Sequence, residues 1–333
     1  MDFNQIINDL KNKVYHPVYF LTGEEPYFID KLSDFISEKV LDAGEKEFNQ
    51  SVFYGNEIDP ISLISVLKRY PMMANHQVVI IQEAQSMRNI ESLAPYIENP
   101  LKSTILVLCY KHKTLDKRKS FTKLVDKNGV LFESKKIYEN KIPEWIDNYL
   151  NNKDYIIGHK AVAMITEFLG NDLGKIANEL EKLMINLPEK SEITTEHIEK
   201  YIGISKDYNN FELQEAICRK DAVKANKIIN YFEKNAKDNP LIVTIMNLFS
   251  YFSKVLKYHY APDKKNFKEV AALLGVNPFF VKEYELAGNN FNIKKTVEVI
   301  ALLREYDLRS KGYDNTSATH SDILKELVFK IIH

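Results

Sequence analysis

The chain has 333 residues, 45% of them hydrophobic and 27% charged, with a formal net charge of -1. That length allows two or three domains with separate cores, and the composition is that of an ordinary globular chain. Near-neutrality excludes a global field that would pull the whole chain onto nucleic acid or an anionic membrane, so any such contact needs a local patch or a partner.

Cys109 and Cys218 lie far apart, one in an apolar strand pattern and one in a helical pattern. Both read as buried thiols rather than a disulfide or a metal pair. The opening MDFNQIINDLKNK reads as a short amphipathic helix with no basic segment leading into an apolar one, so no secretory signal is expected. No run reaches the roughly 18 apolar residues of a membrane span. A cytoplasmic protein with no membrane contact and no cofactor is the expectation.

The first 139 residues alternate strand with helix. A strand is predicted over 18–21, a turn over 22–26, and a long helix with Ile29, Leu32, Ile36 and Val40 on one face. Further strands are predicted over 50–54, 78–81, 104–109 and 130–132, with helices over 59–69, 90–97 and 118–126. This alternation predicts a parallel sheet covered on both faces.

The stretch 59–82 stands out within that module. Asp59 suits an N-cap and Pro60 the first helical position. Ile61, Ile64 and Leu67 recur at helical spacing, and Lys68 and Arg69 place positive charge in the last turn, where the helix dipole favours it. Pro71 lacks an amide donor and biases Tyr70 away from helix, so the helix should stop there. Val78 to Ile81 is an uninterrupted apolar run, as in a strand covered on both faces. Met72 and Met73 lie between, just before polar Asn75, His76 and Gln77. They either tuck into the module's own core or stand out as an apolar plug for another protein's pocket, a role methionine's adaptability suits.

In such a fold phosphates sit at the turn after the first strand. A P-loop needs G-x-x-x-x-G-K-[ST], because glycines let the backbone amides converge and the lysine neutralises phosphate charge. Counting from Gly23, those last three places hold Phe28, Ile29 and Asp30, and the loop itself carries Glu24 and Glu25. The third strand ends in Gln82, where a magnesium-binding aspartate would be wanted. The topology is that of a nucleotide-binding module, but its chemistry is missing at two independent places.

Five of the ten residues 110–119 are Lys or Arg. They read either as a solvated helix start capped by Asp116 or as a contact surface, through Lys117, Arg118 and Lys119, for an acidic partner or phosphates.

Residues 140–206 predict four short helices, over 142–150, 160–169, 173–185 and from Thr194 onward, the last with an imperfect capping box of Thr194 and His197. Following an α/β module, they resemble the lid of an AAA+ unit. In that class an arginine reaching the nucleotide would follow Gly170-Asn171-Asp172-Leu173; here Gly174 and Lys175 do.

Residues 207–333 predict helices over 211–219, 222–234, 240–260, 267–274, 278–287, 294–310 and 321–332. The third of these is apolar over much of its girth (Ile242, Ile245, Met246, Phe249, Phe252, Val255, Leu256), which predicts packing against several neighbours. Residues 268–281 match a helix-turn-helix pattern weakly, with Lys282 the main basic residue of its second helix. Lys311 beside Tyr313 in a polar loop is a candidate for stacking a base of DNA, or simply surface.

The ordered motifs match one family. VYFLTGEEPY at 18–27, Pro71-Met72-Met73 before the third strand and Leu115-Asp116-Lys117-Arg118-Lys119 after the fourth are its first features. Ile142-Pro143-Glu144-Trp145-Ile146, Gly170-Asn171-Asp172-Leu173, Asn178-Glu179-Leu180-Glu181-Lys182-Leu183 and Tyr208-Asn209-Asn210-Phe211-Glu212-Leu213 follow. Together they resemble the delta subunit of the bacterial DNA polymerase III clamp loader over nearly the whole chain. The resemblance implies an AAA+-like module without ATPase chemistry (1–139), a lid (140–206) and a collar (207–333) that builds a ring with the other loader subunits, gamma/tau and delta-prime. It implies a non-enzymatic subunit that binds and opens the beta sliding clamp for loading onto primed DNA, any polymerase activity being that of the holoenzyme. In the family an apolar pair before the third strand enters the clamp's pocket; it falls on Met72 and Met73, flanked by Tyr70 and Pro71. The usual pair has an aromatic second member, from which Met73 departs. The competing readings are an active AAA+ ATPase and a DNA-binding helix-turn-helix protein.

Overall fold

The structure, a computed structural model, describes residues 1–314 and 317–333, and the side chain of residue 139 lies outside the description. The loop that carries Lys311 and Tyr313 therefore includes two positions, 315 and 316, outside the described residues. The chain divides into two compact units, Met1–Ile137 and Tyr138–His333.

The first unit opens with α1 (Phe3–Lys11), β1 (Val18–Gly23), α2 (Pro26–Lys39), α3 (Ala43–Asn49), β2 (Gln50–Tyr54), α4 (Pro60–Leu67) and β3 (Gln77–Gln82). After two short 3-10 turns come α5 (Ala94–Glu98), β4 (Thr104–Lys111), α6 (Ser120–Asn128) and β5 (Val130–Ser134). The five strands form one parallel sheet in the order β2-β3-β4-β1-β5. Pleating sends alternate side chains to opposite faces. Tyr19, Leu21, Ile80 and Val107 meet Ile29, Leu32 and Ile36 of α2 on one face. Val18, Phe20, Val79 and Leu106 meet Leu63 and Leu67 of α4 and Phe121 of α6 on the other. The predicted parallel sheet, covered on both sides, is present.

Four local readings need correction. Helix α3 was not expected, since its polar sequence AGEKEFN carries no apolar stripe; Asp42 starts it, its amide donating to Glu45 Oε2 at 3.0 Å. Helix α4 ends at Leu67, so Lys68 and Arg69 lie beyond its last turn, and Ile61 faces solvent while Leu63 and Leu67 face the core. The helix expected over 90–97 divides into a 3-10 turn and α5. The one expected over 118–126 starts at Ser120, because Asp116 closes its own turn: its carboxylate accepts the Arg118 amide at 3.0 Å, and its carbonyl accepts the Thr122 hydroxyl at 2.7 Å.

The second unit is helical. It contains α7 (Ile142–Asn151), α8 (His159–Leu169), α9 (Leu173–Asn186) and α10 (Thr195–Ile202), with a two-residue parallel ladder between β6 (Ile156–Ile157) and β7 (Glu192–Ile193). His197 Nδ1 accepts the Thr194 amide at 3.2 Å, completing the box with a histidine. Then follow α11 (Asn210–Cys218), α12 (Ala222–Lys234), α13 (Leu241–His259), α14 (Phe267–Leu274), α15 (Val281–Asn290), α16 (Ile293–Ser310) and α17 (His320–Ile332). Leu213, Ile228, Phe252, Tyr306 and Leu327 centre the core of these seven helices. Helix α13 packs against α11 and α14 to α17 as its apolar girth predicts, yet Ile242, Met246 and Phe249 stay exposed. Val270, Leu274 and Val281 of the helix-turn-helix pattern are core residues.

Two carboxylates tie α8 to the later helices. Glu212 on α11 is buried between Lys160 Nζ and Lys224 Nζ, each at 2.5 Å. Glu167 on α8 accepts from Asn247 at 3.3 Å and from the Asn210 side chain and the Phe211 amide. Burial pushes the Glu167 carboxyl up to about 7. Burial and then the Glu215 charge do the same to Glu283. Between the ordinary carboxylate value and about 7, the unfolded chain releases a proton that the folded chain keeps. Stability therefore falls as pH rises across that window and stays lowered above it. Glu167→Gln should stabilise the chain by about 1–2 kcal/mol near pH 8, after discounting for its partial solvent access, with the gain shrinking toward about pH 5. Urea unfolding at the two pH values checks this, and an equal gain at both would rule the titration out.

Candidate functional site

The connection from α4 to β3 is fixed at both ends and exposed in its middle. Asp59 Oδ1 accepts the amides of Ile61 and Ser62 at 2.9 and 3.0 Å, which starts α4. At its other end the carbonyls of a last helical turn lack partners within the helix. Gln77 Nε2 donates to the Val66 carbonyl at 3.0 Å, and Thr104 Oγ1 donates to that of Leu67 at 3.0 Å. Both donors are buried at the starts of β3 and β4, so the helix stops where those strands begin.

Between these anchors Met73 is 101% exposed, Met72 63% and Tyr70 76%, with Pro71 half-buried. The structure thus brings Tyr70, Pro71, Met72 and Met73 together as a projecting loop, outside the core. Met73 has φ +53°, a left-handed conformation that a side chain with a Cβ adopts at a cost of about 1 kcal/mol or more. Asn49, the buried last residue of α3, reaches this loop. Its Oδ1 accepts the Met72 amide at 2.6 Å and its Nδ2 donates to the Met72 carbonyl at 2.9 Å. His76 packs edge-on against Tyr15 at 5.3 Å, and burial lowers its pKa, so at neutral pH the ring brings no charge to the loop. Sequence reasoning missed Asn49 and its exposed neighbour Phe48; nothing in a chain separation of 23 residues signals the contact.

The turn after β1 lies at the opposite edge of the sheet, where strand carboxyl ends gather. Its amides are engaged. Gly23 donates to the Lys113 carbonyl at 2.9 Å, Glu24 and Glu25 to the Ser134 carbonyl at 3.0 and 3.5 Å, and Tyr27 to Glu25 Oε1 at 3.0 Å. Gln82 donates to Ser33 Oγ at 3.3 Å. Beside it Lys111 Nζ sits 2.6 Å from Asp30 and 3.4 Å from Glu83. Burial opposes that ammonium, but its bond to Asp30 and the two negative charges outweigh burial and raise its pKa. Among the described residues no group of three or more His, Cys, Asp or Glu could hold a metal ion. Cys109 and Cys218 are buried free thiols, and burial pushes Cys109 up to about 12.

The basic candidates are each matched by a carboxylate. Lys117 meets Glu133 at 2.6 Å, Lys119 meets Glu91 at 2.6 Å, and Arg118 grips Asp116 through two nitrogens at 3.0 and 2.9 Å. In the second unit Lys311 pairs with Asp307 at 2.7 Å, and the Tyr313 ring is exposed.

A five-stranded parallel α/β module precedes a helical unit in the chain, which is the fold of a solved clamp-loader subunit. The Bacillus subtilis DNA clamp loader delta protein superposes with a TM-score of 0.56 at 24% identity, covering 99% of both chains. The family model described as DNA polymerase III, delta subunit matches residues 19–135. DNA polymerase III subunit delta of Bacillus subtilis is 29% identical over 286 residues, 82% of this chain and 81% of that one. A probable DNA polymerase III subunit delta of Aquifex aeolicus is 23% identical over 226 residues, 64% of this chain and 63% of its own. The chain is similar to the bacterial DNA polymerase III delta subunits, the family its motifs resemble. No described helix is long and apolar enough to cross a membrane.

The turn after β1 also makes a stability prediction. A Cβ on Gly23, whose φ is +139°, would meet the Ser134 carbonyl oxygen at 1.9 Å. Gly23→Ala should destabilise the first unit by about 3–5 kcal/mol, since neither backbone can yield. A thermal melt followed by circular dichroism reads this, and an unchanged transition would refute the close approach.

Proposed function

We propose that this chain is the delta subunit of a DNA polymerase III clamp loader, which binds the beta sliding clamp through Met72 and Met73 and opens the ring for loading onto primed DNA. The carrying observation is the projecting loop itself: two methionines out in solvent, on a backbone held from beneath, in the module that matches the delta family. Apolar side chains so exposed lower the free energy when a partner's pocket covers them. Tyr70 and Pro71 flank the plug and would form its rim.

The chain performs this role without hydrolysing ATP. The engaged amides after β1, the Lys111 pairs with Asp30 and Glu83, and the residues Phe28, Ile29 and Asp30 in the phosphate-binding places support that reading. ATP would act on neighbouring gamma/tau and delta-prime subunits in a cytoplasmic hetero-oligomeric ring. In this reading the lid ends near residue 206 and the collar carries the ring contacts. Lys311 and Tyr313, and Lys117, Arg118 and Lys119 once a phosphate displaces their carboxylate partners, are the candidate DNA contacts within the assembled loader.

Burying a methionine side chain contributes about 1.5–3 kcal/mol. The double variant Met72→Ala/Met73→Ala should therefore weaken clamp binding by on the order of 10²-fold or more, measured by surface plasmon resonance with immobilised beta clamp. Full binding by that variant removes the site assignment. Calorimetric titration of the isolated chain with ATP should give no binding heat; saturable binding would revive the ATPase reading. Sequence-selective binding to duplex DNA without partners would favour the helix-turn-helix reading.

A further inference from the structure

We propose that Asn49 is the positioning residue that presets the Met72–Met73 loop for docking, an inference that rests on the reading of those methionines as the clamp-binding plug. Among the described residues, the two bonds from Asn49 to Met72 are the hydrogen bonds that the backbone makes between Arg69 and Gln77. A connection of that length, fixed only at its ends, samples many conformations. One grip at its middle divides it into two short spans and fixes the residue before Met73.

The chemistry of the grip is specific. A side-chain amide offers a donor and an acceptor in one plane, which is what a backbone peptide group needs on both its N–H and C=O. Asn49 Nδ2 also donates to the Glu45 carbonyl at 3.0 Å, so both its donor hydrogens and its oxygen are engaged and the amide cannot turn. The next residue, Gln50, begins β2 and pairs with Val78 of β3, so the gripping residue is fixed to the sheet itself. Asn49 is 4% exposed, so it acts through Met72. Its grip holds Met73 at its positive φ before the partner arrives, so that less ordering remains to be done on binding.

The test uses the full chain and immobilised beta clamp, with Asn49→Ala, Asn49→Asp, Met72→Ala/Met73→Ala and the triple variant. Asn49→Ala should weaken binding about 10-fold, chiefly through freeing the loop. Asn49→Asp keeps an acceptor for the Met72 amide but sets a carboxylate oxygen against the Met72 and Glu45 carbonyls, so it should weaken binding at least as much as Asn49→Ala. The triple variant should bind no more weakly than the methionine double variant, because a positioning residue has nothing left to position. Unchanged affinity for Asn49→Ala, or a full additional loss in the triple variant, overturns the proposal. Should Asn49→Ala fail to fold, the Asp variant alone carries the comparison through its own loss with and without the methionines. If the methionine double variant binds normally, the docking reading fails first. Amide hydrogen exchange at Met72 then decides on Asn49 separately: faster exchange in Asn49→Ala sustains the grip, and unchanged exchange refutes it.

Discussion

The amides of Glu24 and Glu25 converge on the carbonyl of Ser134, the last residue of β5, at 3.0 and 3.5 Å, while the Ser134 hydroxyl donates to the Glu25 carbonyl at 2.7 Å. On the other side Thr22 Oγ1 and the Gly23 amide both donate to the Lys113 carbonyl, at 2.8 and 2.9 Å. Only a residue without a Cβ fits between these two chains. This knot closes the carboxyl ends of β1, β4 and β5 on one another. It takes donors that a phosphate-binding turn would leave pointing outward and gives them to the protein's own backbone. Lys111 continues the closure by joining α2 and the end of β3 through Asp30 and Glu83.

A module closed at that edge serves as a frame. Its other edge, where β3 and β4 begin, is built the opposite way: Gln77 and Thr104 satisfy the end of α4 from within, and the chain beyond Leu67 is released into solvent. Satisfied polar groups below and unsatisfied apolar groups above are the combination that lets a loop be both well placed and available. Burial on both faces of the sheet supplies the rigidity on which that placement depends.

Much of this was legible in the sequence. The runs at Val18, Val78 and Thr104 announced strands by apolar continuity, and Pro71 set a limit that α4 does not reach, since the helix ends at Leu67. The departure from a P-loop pattern was legible in Phe28, Ile29 and Asp30, which stand where that pattern needs Gly, Lys and Ser or Thr. The illegible parts share a cause: they are made by contacts distant in the chain. Helix α3 has no apolar stripe and is set by its cap and its junction with β2. The start of α6 moved because Asp116 bonds its own turn in place of capping the helix. That Ile61 would face out and Leu63 in depended on where α4 sits over the sheet, which periodicity within eight residues leaves undetermined. The charges at Lys117 and Lys119 looked unmatched until folding brought Glu133 and Glu91 beside them.

The left-handed backbone at Met73 also sets a rule for which residues can replace it. β-branched side chains are strongly disfavoured at such φ, while glycine and asparagine fit the backbone but offer no apolar surface. Drift at this position is therefore channelled toward residues that are unbranched at Cβ and apolar beyond it, a set that contains leucine, methionine and phenylalanine and leaves out valine and isoleucine. The turn's geometry filters which apolar chemistries can reach the outside, before any partner has selected among them.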